Sequence, residues 1–208
     1  MKIGIIGSGS IGGTLTRRLQ GLGHDVTVAN SRGPQSLKQL TQETGAHAGT
    51  VEGTAQNADL VVLAIPVGAV TTLPLSAFSN KIVVDADNYF AEKDGDISEI
   101  SDQSLSSSRW TADHFPGARV VKAFNTVVAP HLLDRGRPAG EDGRIGMAVA
   151  GDDPSAKRTV MSMVDELGFD PVDAGTLDES WRMQPNTPVY LSDHDAATVR
   201  RDLSSVRP

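Results

Sequence analysis

Cysteine is absent from the 208 residues. That excludes disulfides, thiolate zinc sites, cysteine-held iron–sulfur clusters and a cysteine nucleophile. It suits a reducing compartment, so a cytoplasmic location is the expectation. Basic residues are in short supply: 19 Lys and Arg stand against 26 Asp and Glu, a net charge of −7. No basic field remains to neutralise a phosphate backbone, which argues against a nucleic-acid partner. Long apolar runs are missing too. The longest, Leu60 to Val70, is interrupted by Pro66, whereas a spanning helix takes about 20 apolar residues. No membrane partner is expected. The opening stretch Met1–Ile6 runs into a glycine-rich turn and lacks the apolar length and cleavage site of a signal peptide. His24, His47, His114, His131 and His194 are scattered without zinc-ligand spacing, so no metal is expected. Neither a G-x-S-x-G elbow nor a P-loop occurs.

Hydrophobic residues make up 38% and charged residues 22% of the chain, enough for one sizeable core. Short apolar runs, Lys2–Ile6, Asp25–Ala29, Asp59–Ile65, Lys81–Asp85, Arg119–Ala123, Arg144–Ala150 and Phe169–Asp173, alternate with helix-length stretches. The helical stretches are Ile11–Gly21, Gln35–Thr44, Ser104–His114 and Pro154–Gly168. Near-continuous apolar runs suit strands buried on both faces. The βαβα rhythm predicts an α/β fold with a doubly wound parallel sheet. Ile11, Leu15, Leu19 and Leu22 give the first helix one apolar stripe. Residues 134–143 are polar and glycine-containing and read as an exposed excursion. Trp181–Leu191 is expected to pack on the domain, with a helix or frayed tail after it. No linker divides the chain, so we expect one domain over 1–150 and a small extension packed on it over 151–208.

The strongest motif is Gly7-Ser8-Gly9-Ser10-Ile11-Gly12, which follows a predicted strand and opens a predicted helix. That context is what a dinucleotide-binding turn requires. Gly7 permits the tight turn, Gly9 lets a pyrophosphate approach the backbone, and Gly12 lets the helix lie close to the strand. The free N–H groups of the helix start then face the pyrophosphate. The tip of the second strand reads Asn30-Ser31-Arg32-Gly33-Pro34 and carries no carboxylate. An acid there would grip a ribose hydroxyl and repel a 2′-phosphate, whereas Arg32 makes a charge-assisted fork with one. Ser31 and Asn30 add donors. NADP(H) is therefore the expected cofactor.

Ligands in open α/β sheets bind beyond the carboxyl ends of the strands. The turn Ile65-Pro66-Val67 is therefore placed over the cofactor, with Asn125 at its nicotinamide end. The alternative for Asn125 is a helix N-cap for a helix starting near Thr126. Lys122 reads as a solvated lysine, and Asp85 and Asp87 read as hydrogen-bonded loop residues rather than a metal or acid–base pair. No side chain is assigned as catalytic.

Lys2–Gly13, Asn30–Gly33, Ala64–Gly68, Val120–Thr126 and Leu167–Gly175 together resemble the deazaflavin-dependent NADP oxidoreductase family, along roughly residues 1–190. The same segments are similar to the NADPH-binding domain of the membrane ferric reductases. The first resemblance implies a Rossmann domain whose small C-terminal portion helps form the acceptor pocket. It also implies a homodimer and direct hydride transfer between NADP(H) and the 8-hydroxy-5-deazaflavin coenzyme F420. Arg135, Arg137 and Arg182 are candidates to meet the acidic tail of that coenzyme. Reduction of a flavin or another small acceptor, and an NADP(H)-binding redox sensor without turnover, remain open.

Overall fold

The computed structural model describes residues 1–207; Pro208, the last residue of the expected extension, lies outside them. Eight strands form one sheet: β1 (Lys2–Ile6), β2 (Asp25–Ala29), β3 (His47–Ala48), β4 (Leu60–Leu63), β5 (Ile82–Asp85), β6 (Arg119–Lys122), β7 (Gly146–Gly151) and β8 (Asp170–Asp173). The helices are α1 (Ser10–Gly21), α2 (Lys38–Thr44), α3 (Val51–Asn57), α4 (Ala91–Asp94), α5 (Ser98–Ser101), α6 (Ser107–His114), α7 (Ala129–Asp134), α8 (Pro154–Glu166) and α9 (Ala196–Ser205).

The strand order is β3-β2-β1-β4-β5-β6-β7-β8. The first six positions in that order pair in parallel, as do β7 and β8. The pairing of β6 with β7 is antiparallel, so the expected α/β doubly wound sheet is mostly parallel, with one reversed pair. Only Val121 and Lys122 of β6 meet Gly151 and Ala150 of β7. An antiparallel pair needs no crossover, so the chain returns through α7 and the loop after it rather than through a βαβ unit. β7 straddles the boundary drawn at residue 150.

The β4 and β5 positions are buried throughout, as strands covered on both faces should be. One core layer joins Ile3, Ile5, Leu15, Leu19 and Val160; a second joins Val61, Val83, Phe78, Trp110 and Phe115 on the other face. A smaller third layer gathers Ala148, Val172, Met183, Val189 and Val199 under α9. Several short elements escape the hydrophobic pattern, among them β3, α3, α4 and α5. The helix α3 is short, and Thr50 caps it by accepting from the Gly53 N–H at 3.1 Å.

The register aligns the strand ends in one row. Ile6 faces Ala29 and Leu63, Leu63 faces Asp85, and Asp85 faces Lys122. The next residues of each strand therefore share one edge. The chain reverses its winding between β1 and β4, which is where such sheets open a crevice.

Candidate functional site

The crevice begins at Gly7. Its φ is 107°, and a Cβ there would lie 2.0 Å from the Ala64 carbonyl oxygen. A side chain is excluded on both counts. A Cβ on Gly12 would lie 2.0 Å from the Gly7 carbonyl, so this glycine seats α1 against the turn. Gly9 is different. Nothing lies within 4 Å of its Cβ position, and it is the N-cap of α1, with no side chain capping the helix and no acid in its first turn. The helix start thus presents uncompensated N–H groups and positive dipole to open space.

That space is a cleft of about 440 Å³, lined among others by Gly7, Ser8, Gly9, Asn30, Ser31 and Arg32. Its apolar wall comes from Val51, Ile65, Pro66, Leu73 and Pro74. Asn30 is committed to the scaffold. Its amide donates to Ser8 Oγ at 2.9 Å, and its oxygen accepts from the Arg32 N–H and from Ser36 Oγ, each at 3.0 Å. It thereby joins the glycine turn to the β2 tip and fixes where Arg32 stands. Among the described residues the Arg32 guanidinium has no hydrogen bond or ion pair, and it borders the cleft. The neighbouring Arg17 is spent on Glu43, at 2.6 and 2.8 Å. Ser10 lines an adjoining hollow that shares Ser8, Gly9 and Arg32 with the cleft. The Ile11 side chain packs on the core, leaving its backbone for a ligand. Val67, expected at the cleft, is buried in the core instead because the 3₁₀ turn Val67–Thr72 rotates it inward.

Further along the edge lies a buried charge network. Asp85, Asp87 and Lys122 are 0%, 4% and 1% exposed. The reading of Lys122 as a solvated lysine is therefore corrected. Its ammonium lies 3.4 Å from Asp85 Oδ2 and donates to the Asp87 carbonyl. Asp85 Oδ1 accepts the Asp87 N–H at 2.9 Å, and Asp87 Oδ1 accepts the Ile65 N–H at 2.7 Å. Asp87 thus tethers the turn that walls the cleft. Burial, then the charge of Asp85, pushes the Asp87 carboxyl well above the ordinary carboxylate range, against the opposing pull of Lys122.

Asn125 does not cap a helix: α7 starts at Ala129, with Val128 as its N-cap. The Asn125 amide donates to Asn88 Oδ1 at 3.2 Å and to the Met183 carbonyl at 2.8 Å. Its own oxygen is buried without a partner. The preceding Phe124 sits at φ 66°, a strained conformation for a large side chain. The network of Ile65, Asp87, Asn88 and Met183 was not legible in sequence, since its members are brought together by the strand row. Arg135, Arg137 and Arg182 form no group. Arg137 binds the Asp142 carbonyl, and Arg182 is spent on Glu179 and the carbonyls of Ala174 and Leu203. Among the described residues no helix is long and apolar enough to cross a membrane, and no metal-binding cluster occurs.

Comparison with known proteins places these features. The sequence pattern of the family "NADP oxidoreductase coenzyme F420-dependent" matches residues 2–89. A solved protein of Sinorhizobium meliloti, SMa0349, is 32% identical, with a TM-score of 0.80 over 92% of this chain and 93% of that one. A candidate F420-dependent NADP reductase from Arthrobacter sp. FB24 is 30% identical, with a TM-score of 0.74 over 88% of this chain and 87% of that one. The rat metalloreductase STEAP3 is 32% identical over 85% of this chain and 34% of its own length. The chain spans between about a third and a half of the curated relatives it matches. On the match to the Arthrobacter protein across nearly the whole of both chains, this chain belongs to the coenzyme F420-dependent NADP oxidoreductase family.

Proposed function

We propose that the chain is an NADP(H)-dependent oxidoreductase that transfers a hydride between the nicotinamide and coenzyme F420. The observation that carries the cofactor is the pairing of an uncapped helix start over open space with an unpaired Arg32 across the same cleft. The residues present fit NADP(H). The backbone of Gly7 to Gly12, with Ser8 and Ser10, would hold the diphosphate, and Arg32 with Ser31 the 2′-phosphate. Asn30 sets the distance between those two grips. Val51, Leu73 and Pro74 offer an apolar slot for the adenine. The unpartnered oxygen of Asn125 would accept from a carboxamide at the nicotinamide end.

When bound, the two coenzymes supply the hydride chemistry themselves. The chain's own work is to hold the rings in register and keep water out, and no side-chain acid or nucleophile is called for. Asp87 holds the Ile65–Pro66 turn against the cofactor through one backbone hydrogen bond. On the family's pattern the proposal includes a cytoplasmic homodimer. It also treats residues after 150 as an extension of one domain rather than a second one; light scattering tests the dimer.

A second reading, reduction of a flavin or another small acceptor, draws on the likeness to the metalloreductase. Anaerobic mixing with NADPH and each acceptor, followed by absorbance, separates the two. Turnover with F420 is the expected result. Fast flavin reduction without F420 turnover would establish the second reading, and tight NADPH binding with no turnover at all would make the chain a sensor.

A further inference from the structure

The charges buried behind the wall of the dinucleotide cleft do not balance. Strand alternation turns Asp85 of β5 and Lys122 of β6 to the same face as Val83 and Val120, the face covered by Trp110 and Phe115 of α6. Asp87 joins them just past the end of β5. The Lys122 ammonium lies 3.4 Å from Asp85 Oδ2 and donates to the Asp87 backbone carbonyl, so one cation stands beside two carboxyls. Asp85 Oδ2 and Asp87 Oδ2 are both buried without a hydrogen-bond partner among the described residues.

The neighbouring elements bring no second cation. Asp94 on α4 adds another carboxylate near Asp87, accepting from the Phe90 and Gly68 N–H groups at 2.7 and 3.4 Å. On α6, Arg109 is spent on Asp152 and Asp178, His114 is bonded to the Trp110 carbonyl, and Asp113 is exposed. In the 3₁₀ turn Leu177–Met183, which packs on β6, Arg182 is paired with Glu179. Two buried carboxyls that face one ammonium bind a shared proton more tightly than an exposed carboxylate does.

The same cluster touches both ends of the proposed cofactor site. Asp87 Oδ1 accepts the Ile65 N–H at 2.7 Å, and Ile65 lines the cleft. Asn88, the next residue, accepts from the Asn125 amide at the nicotinamide end. The nicotinamide ring is positive in NADP⁺ and neutral in NADPH, so the oxidation state of the nucleotide changes the charge near these carboxyls by one.

We propose that the Asp85–Asp87 pair is a proton site linked to the oxidation state of the bound nucleotide, and that Asp87 is the positioning residue through which the two communicate. The pair releases its proton more readily when NADP⁺ occupies the cleft than when NADPH does. One O–H bond breaks on the pair, solvent takes the proton, and no electron moves in this step. Linkage is reciprocal, so the ionised pair shifts the preference of the cleft toward NADP⁺. The inference rests on the NADP(H) reading and adds to it a regulation of the same site, in which pH sets the preferred oxidation state.

The test is calorimetry of the full chain with NADP⁺ and with NADPH from about pH 6 to pH 9, in buffers of different ionisation heat. The ratio of the NADP⁺ to the NADPH dissociation constant should fall by about three- to ten-fold as pH rises, and NADP⁺ should release more protons on binding. The 2′-phosphate titrates in both nucleotides and cancels in the ratio. Asp87→Asn and Asp85→Asn each leave one carboxylate for one ammonium. In both, the ratio should stay flat with pH, near the low-pH value of the wild type. Asp85→Asn keeps the Ile65 tether on Asp87, so a flat ratio there reports the lost titration and not a lost hydrogen bond. A wild-type ratio that does not change with pH would overturn the inference, as would a variant that binds both nucleotides and keeps the wild-type slope. A wild type that binds neither nucleotide at any pH would instead overturn the parent reading.

Discussion

Two residues with opposite surroundings decide the chemistry of the edge. Arg32 stands in solvent with no side-chain partner among the described residues, held in place through the Asn30 hydrogen bond to its own N–H. Its charge is free for a phosphate, so Arg32→Ala should weaken NADPH binding by about 1–3 kcal/mol and leave NADH nearly unchanged. Calorimetry with both nucleotides checks this; equal losses would mark a folding defect. Asp87 is the reverse, a carboxyl whose hold on its proton is raised well above the ordinary carboxylate range by burial and then by the charge of Asp85. Its folded pKa lies above the unfolded one, so the folded chain keeps a proton that the unfolded chain gives up. Its contribution is fully present below the ordinary carboxylate range and is lost as pH rises toward the raised folded value. Asp87→Asn keeps an oxygen for the Ile65 N–H and removes the titration. Stability of the variant should then fall less steeply with rising pH, by up to about 1.4 kcal/mol per pH unit. Denaturant titrations across that range would show it, and parallel curves for the two proteins would refute it.

At the scale of an element, α1 separates two roles that glycine plays within four residues. Gly12 is there for packing, because a methyl group would strike the Gly7 carbonyl at 2.0 Å. Gly9 faces nothing, so its bareness serves a ligand rather than the fold. Gly12→Ala should cost about 3 kcal/mol of stability. Gly9→Ala should change stability by no more than about 0.5–1 kcal/mol yet lower NADPH affinity at least ten-fold. Thermal unfolding with and without NADPH distinguishes the pair; a Gly9→Ala protein that still binds normally would remove the diphosphate from the helix start. Both glycines were legible as a motif. Their different roles were expected from that motif, and the structure supplies the reason at each by what stands opposite its Cβ position.

For the molecule as a whole, the cofactor cleft joins elements that are distant in sequence: the β1–α1 turn, the β2 tip, α3 and the loop after β4. A ligand bridging them stabilises only the folded chain. NADPH at about 100 times its dissociation constant should add about 2.7 kcal/mol, a rise in Tm of roughly 5–10 °C for a chain of this size. NADH at the same concentration should add less. Differential scanning fluorimetry measures both, and equal shifts would remove the 2′-phosphate from the account. A second long-range tie comes from Arg109 on α6, which bridges Asp152 and Asp178 at 2.7 and 2.5 Å and so holds the C-terminal portion beside α6.

The amino-acid sequence by itself determined the succession of the longer strands and helices, the glycine turn and the cationic tip of β2. Those features are local: a period of apolar residues, a backbone that must bend, a missing carboxylate. Only the tertiary structure decided that β7 runs against β6, that Val67 turns inward, and that Lys122 is buried between two aspartates. It alone put Asp87 on the Ile65 N–H and Asn125 between Asn88 and Met183. Each of these is settled by which strand ends come to lie side by side in the sheet, and burial then sets the charge and the hydrogen-bond partners of groups that look solvent-bound in the linear chain.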